Sequence, residues 1–141
     1  MKQVVCGFAL SILLAATAAA QNAEGPTIGV EFNDLQQAPE GCRAVFVLNN
    51  GMGVALAELT LRIVAFDADA HAALFLSLDV GSLPVNKTRV LRFDLCEYVQ
   101  CENISRLLLD DVVSCEGPDI DAATCLGALN LSTRAGIPLD F

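Results

Sequence analysis

The only histidine of the chain, His71, closes the run Asp67-Ala68-Asp69-Ala70-His71, in which two carboxylates and an imidazole alternate with alanine. On an extended segment this alternation turns all three side chains to one side, where they would offer donors to a divalent cation. The same residues also suit a solvated hairpin turn, because aspartate caps its own backbone there. Asp119-x-Asp121 opens like a calcium loop but lacks the next alternate Asp or Asn and the downstream Gly, so helix capping accounts for it better. A serine or cysteine nucleophile would have His71 as its only imidazole base, and no G-x-S-x-G elbow is present. The 17 acidic residues include many conceivable carboxylate pairs, but the pattern singles out none, and without Trp there is little to line a sugar cleft. Two methionines and one histidine make a poor copper donor set. The residues therefore predict a non-catalytic protein without a cofactor, with Asp67, Asp69 and His71 as the candidate metal ligands.

Six cysteines are the remaining reactive groups, and no C-x-x-C redox pair occurs among them. Cys6 lies within residues 1–20, where Lys2 precedes an apolar stretch and Ala18-Ala19-Ala20 precedes Gln21, the layout of a cleavable secretory signal. The apolar run over 4–20 is diluted by Gly7, Ser11 and Thr17 and falls short of the roughly 20 apolar residues that span a bilayer. Cys6 follows Gln3-Val4-Val5, which does not fit a lipoprotein acceptor, and no paired arginine marks the twin-arginine route. The expectation is a signal peptide over 1–20 and one domain over 21–141, periplasmic or secreted, with no stable membrane insertion after cleavage.

Cleavage would remove Lys2 and leave 17 acidic groups against 7 basic ones, a net of −10 compared with −9 for the whole chain. Such a surface repels phosphate backbones and anionic headgroups, so no nucleic-acid partner is expected. The mean hydropathy of +0.52 and apolar residues spread in short alternating runs exclude low-complexity disorder.

Those runs have the period of strands. Ile28, Val30 and Phe32 alternate with polar residues over 27–33; Cys42, Ala44, Phe46 and Leu48 form one face of a second run, closed by Asn49-Asn50-Gly51. Leu59, Leu61, Ile63 and Ala65 form a third, apolar on much of both faces and hence central in its sheet. Leu74, Leu76, Leu78 and Val80 follow the 67–71 break, with Phe75, Ser77 and Asp79 in the opposite phase. Leu91, Phe93 and Leu95 mark a fifth, Leu107 and Leu109 a sixth near 104–113, where Asp110-Asp111 would sit at its end as solvated charge. Leu129 and Leu131 mark a seventh. Between the last two, Gly117-Pro118-Asp119 and residues 122–126 read as a turn and one short helix with an Asp cap and a stop at Gly127. About seven short strands with regular turn signals predict an all-β, antiparallel two-sheet sandwich of immunoglobulin-like type. The alternative is an α+β domain with a helix over 52–65, where Val54, Leu56, Ala57 and Leu61 also tolerate helical spacing.

Five cysteines remain after cleavage, and two bridges among them allow 15 pairings. In a sandwich whose connections all reverse direction, the second and sixth strands run the same way, which puts Cys42 and Cys101 at one end. Cys115 and Cys125 would then staple the loop at the other end, leaving Cys96 as a free thiol; a local Cys96 to Cys101 ring competes. Zinc fits the spacings less well than disulfides do in an oxidising compartment. Three N-glycosylation patterns begin at Asn86, Asn103 and Asn130.

The runs CRAVFVLNNGMG, AFDADAHAALFLSLDVGSLP, RVLRFDL, SCEG and AATCLGALNLSTR resemble small exported proteins of alphaproteobacteria, over most of the chain beyond the signal. The resemblance implies export and recurring cysteines at the positions of Cys42, Cys101, Cys115 and Cys125, with Cys96 additional. It implies no activity. Together these readings predict an exported binding or accessory module of the cell envelope that meets a protein partner through a free strand edge; an acidic, metal-binding periplasmic protein is the alternative.

Overall fold

A computed structural model describes residues 25–97 and 99–141; the expected signal at 1–20 lies outside the described residues. The chain is an all-β sandwich of two four-stranded sheets. Its elements are β1 (Thr27–Ala38), β2 (Gly41–Gly51), β3 (Glu58–Asp67), β4 (Ala72–Asp79), β5 (Thr88–Glu97), a 3₁₀ turn (Cys101–Asn103), β6 (Ile104–Glu116), α1 (Ala122–Ala128), β7 (Leu129–Thr133) and β8 (Leu139–Asp140). The first sheet has the order β5-β2-β1-β7 and the second β4-β3-β6-β8.

The alternation in the sequence explains the layers. Ile28, Val30 and Phe32 of β1 and Ala44, Phe46 and Leu48 of β2 are fully buried on the inner face of the first sheet. Phe32 and Phe46 are register partners, and their rings stack with centroids 5.4 Å apart. Leu59, Leu61, Ile63 and Ala65 of β3 face them from the second sheet with Leu107 and Leu109 of β6. Strand β3 is indeed interior, between β4 and β6.

The α+β alternative is overturned. Residues 58–65 belong to β3, and Leu56 makes an isolated bridge to Leu83 instead of a helical turn. A helix would scatter Leu59, Leu61, Ile63 and Ala65 around its circumference, whereas period two buries all four on one side.

Several boundaries also differ from expectation. Strand β2 runs through Asn49-Asn50-Gly51 because Asn50 is wholly buried and bonded: its Nδ2 donates to the carbonyls of Val54 at 2.9 Å and Leu83 at 2.7 Å, and its Oδ1 accepts from Met52 N–H at 2.9 Å. Asp110 and Asp111 lie inside β6, not at its end. The register passes from Arg62 opposite Asp111 to Ile63 opposite Leu109, so Asp110 is the extra residue of a β-bulge that lets the strand continue to Glu116. Helix α1 is capped by Asp121, whose side chain accepts from Thr124 N–H, but it passes through Gly127 and ends at Ala128 before entering β7 directly. An eighth strand, β8, pairs with β6, so the sheets hold eight strands. Both C-terminal strands pair in parallel, β7 with β1 and β8 with β6.

Candidate functional site

The 67–71 run forms the turn of the β3–β4 hairpin. Asp67 Oδ1 accepts the backbone N–H groups of Asp69 and His71, both at 2.9 Å, and Ala70 takes a left-handed φ of 62° that lets the chain reverse. The His71 N–H is the main cause holding the Asp67 carboxyl below its ordinary range; partial desolvation opposes it, and the Asp69 N–H assists. Asp67 Oδ2 lies 3.6 Å from His71 Nδ1. The fold thus brings the three expected ligands together: one donor atom from each of Asp67, Asp69 and His71 falls within 4.8 Å of the others, with Asp69 and His71 exposed. The turn's own hydrogen bonds are sufficient to produce that proximity.

The cysteines are brought together in pairs. Cys42 at the start of β2 is bonded to Cys101 before β6, with Cα atoms 4.9 Å apart, and Cys115 near the end of β6 to Cys125 of α1, with Cα atoms 6.4 Å apart. Cys42 and Cys125 are buried in the core. The two bridges lie at opposite ends of β6. Cys96 is the register partner of Cys42 on β5, while its side chain, the expected free thiol, lies outside the described residues. A pocket of about 340 Å³ opens beside the first bridge, lined by residues 38–43 and Asp94; of its three charged residues, Glu40, Arg43 and Asp94, the last two are joined at 2.7 Å.

The four sheet edges differ in their protection. An exposed strand edge invites pairing with another chain, and folded proteins block it by shortness, charge, proline or inward-pointing charged side chains. Strands β7 and β8 are short, with five and two residues. Strand β5 carries Arg89, Arg92 and Asp94; Arg89 faces inward, since its register partner Leu48 is a core residue. Strand β4, reading AALFLSLD, has none of these devices, and its single charge is the terminal Asp79.

Strand β4 is also apolar on its outer face. Phe75 is 71% exposed there and pairs with Val64, which is only 4% exposed and pairs in turn with Leu108. One apolar row therefore crosses three strands on the side of the sandwich that faces solvent. The backbone phase is set at both ends of the hairpin, by Val80 N–H to Leu59 C=O at 3.0 Å and Asp67 N–H to His71 C=O at 3.0 Å. By antiparallel alternation, Leu74, Leu76 and Leu78 direct their backbone groups at β3, and Phe75, Ser77 and Asp79 direct theirs away from the sheet. This edge was expected only as an unspecified free strand. Its signal in the sequence was a phenylalanine in the polar phase of an otherwise clean alternation.

Asn86, Asn103 and Asn130 are all exposed. Asp119 has a left-handed φ of 56° in the turn before α1, and Asp121 serves as the cap. No helix of the described residues is long and apolar enough to cross a membrane, and two disulfides are compatible with an oxidising compartment. No family model, curated protein or solved structure matches the chain.

Proposed function

We propose that the protein is an exported, non-catalytic β-sandwich of immunoglobulin-like type that acts as a binding or accessory module of the cell envelope, in the periplasm or outside the cell. The observation that carries this reading is the β4 edge, eight residues long and uncharged as far as Asp79, with outward backbone donors and acceptors flanked by the exposed ring of Phe75. Strand addition at such an edge takes its affinity from main-chain hydrogen bonds and its specificity from alternate side chains. The immunoglobulin-like assignment draws support from the pairing of β2 with β5 and β3 with β6, one pair in each sheet. Export draws support from the signal-like residues 1–20 and the two bridges, and the resemblance to small exported alphaproteobacterial proteins agrees with it.

Affinity capture from envelope extracts tests the reading. The wild-type chain is expected to retain a bound species that a Phe75→Lys variant of unchanged melting temperature loses. Equal retention by both chains, or turnover of a substrate without any bound species, overturns it.

A second reading, a divalent-cation site, is favoured by one observation, the 4.8 Å clustering of Asp67, Asp69 and His71 donor atoms. It predicts that zinc or calcium raises the melting temperature of the wild type but not of Asp69→Ala. An equal response of the two chains to either ion rejects it.

A further inference from the structure

We infer that Cys42 serves two alternative bridges, one to Cys101 and one to Cys96, and that thiol–disulfide exchange between them moves the spare thiol of the protein from position 96 to position 101, which makes Cys101 a site of modification. From the reading above this takes export alone: Cys6 leaves with the signal and no longer competes as a partner for Cys96.

Three cysteines share one end of the first sheet. Cys42 lies at the start of β2 and is bonded to Cys101, with Cα atoms 4.9 Å apart. Cys96, on the neighbouring strand β5, is the register partner of Cys42. Partners in an antiparallel pair have Cα atoms about 4.5–5.5 Å apart, and a disulfide spans about 4.4–6.8 Å. The backbone thus holds Cys42 within bridging range of both Cys101 and Cys96. A bulge creates this alignment. Continuing the register of Arg43 with Asp94 would set Leu95 against Cys42, but the shift between Cys42 and Arg43 advances β5 by one residue and sets Cys96 there instead. The second bridge lacks such a neighbour: Cys115 has Leu59 as its register partner on β3.

The exchange balances within the chain. The thiolate of Cys96 attacks the sulfur of Cys42, a Cys42–Cys96 bond forms as the Cys42–Cys101 bond breaks, and the electron pair leaves with Cys101. The proton given up at Cys96 is returned at Cys101 through water, so nothing is oxidised or reduced. Burial selects this direction of attack. Cys42 is 1% exposed in the core, and a thiolate expelled there, as a Cys96–Cys101 ring would require, is poorly solvated and leaves slowly. Cys101 is partly exposed at the start of the 3₁₀ turn, so water receives its charge. Chain entropy holds neither bridge over the other. The loop closed at Cys42 shortens by only five residues from its separation of 59, and closure entropy grows with the logarithm of loop length.

Exchange changes what this end of the sandwich presents. The connection over 99–103 loses its covalent tie to β2 and keeps the bond from Cys101 N–H to Gln37 Oε1, 2.8 Å. A partly exposed thiolate then stands beside the pocket lined by residues 38–43. A low-molecular-weight disulfide can cap it: Cys101 Sγ bonds one half of the reagent and the other half leaves as its thiolate.

Peptide mapping without reduction, on the chain recovered from the export compartment, tests the inference. The protein is held at about pH 8 until its bridges equilibrate, then quenched in acid, which removes the attacking thiolate. Free thiols are blocked with N-ethylmaleimide, and cleavage after Glu97 separates Cys96 from Cys101. Two isomers are expected, one with Cys42 linked to Cys101 and maleimide on Cys96, the other with Cys42 linked to Cys96 and maleimide on Cys101. Their ratio is expected to be independent of protein concentration, with Cys115 and Cys125 linked in both. Cys96→Ser is expected to lose all labelling at position 101, and Cys101→Ser to form the Cys42–Cys96 bridge when oxidised with glutathione disulfide. Maleimide on Cys96 alone in the equilibrated wild type overturns the inference. So does labelling of Cys101 that persists in Cys96→Ser or rises with protein concentration, and so does maleimide on both Cys42 and Cys96 of oxidised Cys101→Ser. The intact mass reports on export separately: a chain that still contains Cys6 contradicts export, while the isomers decide the exchange.

Discussion

The side-chain amide of Asn50, at the end of β2, donates to the backbone carbonyl of Leu83 at 2.7 Å in a site from which water is excluded. Leu83 is itself bridged to Leu56, so one amide fastens the first sheet to the two loops that lead into β3 and β5. Replacing it by alanine removes three hydrogen bonds and leaves the carbonyls of Val54 and Leu83 and the N–H of Met52 without that partner. A buried unsatisfied group costs about 1–3 kcal/mol. We expect Asn50→Ala to lose about 3 kcal/mol in urea unfolding, and a loss under about 1 kcal/mol would show the site to be accessible to water.

The two disulfides close loops of very different length, with sequence separations of 59 and 10. The chain-entropy relation assigns about 4 kcal/mol to the longer loop and about 3 kcal/mol to the shorter. Converting Cys42 and Cys101 together to alanine is therefore expected to destabilise the domain more than converting Cys115 and Cys125. Denaturant midpoints of the two double variants test the order; the reverse order would point to packing around buried Cys125 as the larger contribution.

Acid is expected to loosen first the 67–71 turn, the cap of α1 and the Glu31 contact on β1. Asp67, Asp121 and Glu31 all have carboxyl groups held below the ordinary range: Asp67 chiefly by the His71 N–H, Asp121 by the Thr124 N–H and Glu31 by the Asn33 amide. For a lowered pKa, the folded state binds fewer protons than the unfolded one. Its stabilisation is complete above the ordinary carboxylate value near pH 4 and disappears as pH falls through the folded value. Asp67→Asn should thus lower the melting temperature at about pH 6, and its difference from wild type should shrink towards about pH 2. A difference that is constant with pH would show that the carboxylate charge is not what the turn uses.

Two glycines are expected to respond to alanine with opposite signs. A Cβ on Gly117 would lie 2.8 Å from the carbonyl oxygen of Ala55 and 2.8 Å from Ile120 Cδ1. The isoleucine can turn away but the carbonyl belongs to the backbone, so Gly117→Ala should cost about 1–3 kcal/mol. Gly127, in α1, has nothing within 4 Å of the same position, and Gly127→Ala should gain about 0.5–1 kcal/mol of helix propensity. Thermal unfolding of the two variants distinguishes them, and matching signs would refute the assignment.

Burial was the most legible part of the fold. Ile28, Val30 and Phe32, or Leu59, Leu61 and Ile63, announce an inner face because a two-residue period leaves them one side of the sheet to share. What the period conceals is any position that breaks phase. Asp110 is an extra residue in β6, and a bulge there restores the inward direction of Leu109 and Val112 on either side of an acidic pair. Asn50 looked like a turn residue because its partners, Val54 and Leu83, are loop carbonyls that no local pattern identifies. The 67–71 turn could be read because Asp67 bonds to its own neighbours. The exposed edge could not, because which strand lacks a second neighbour depends on pairings distant in the chain.

The parallel strands β7 and β8 have a consequence for the time course of folding. Strand β1 receives its second neighbour when Ile28 meets Leu129, about a hundred residues later, and β6 is flanked on that side only when Leu139 arrives. Hairpins β1–β2 and β3–β4 can close locally within microseconds, but sealing both sheets on this side waits for nearly the whole chain. Such long-range closure places the domain among slow folders, in milliseconds to seconds, and leaves β1 and β6 open to wrong partners until the last dozen residues dock.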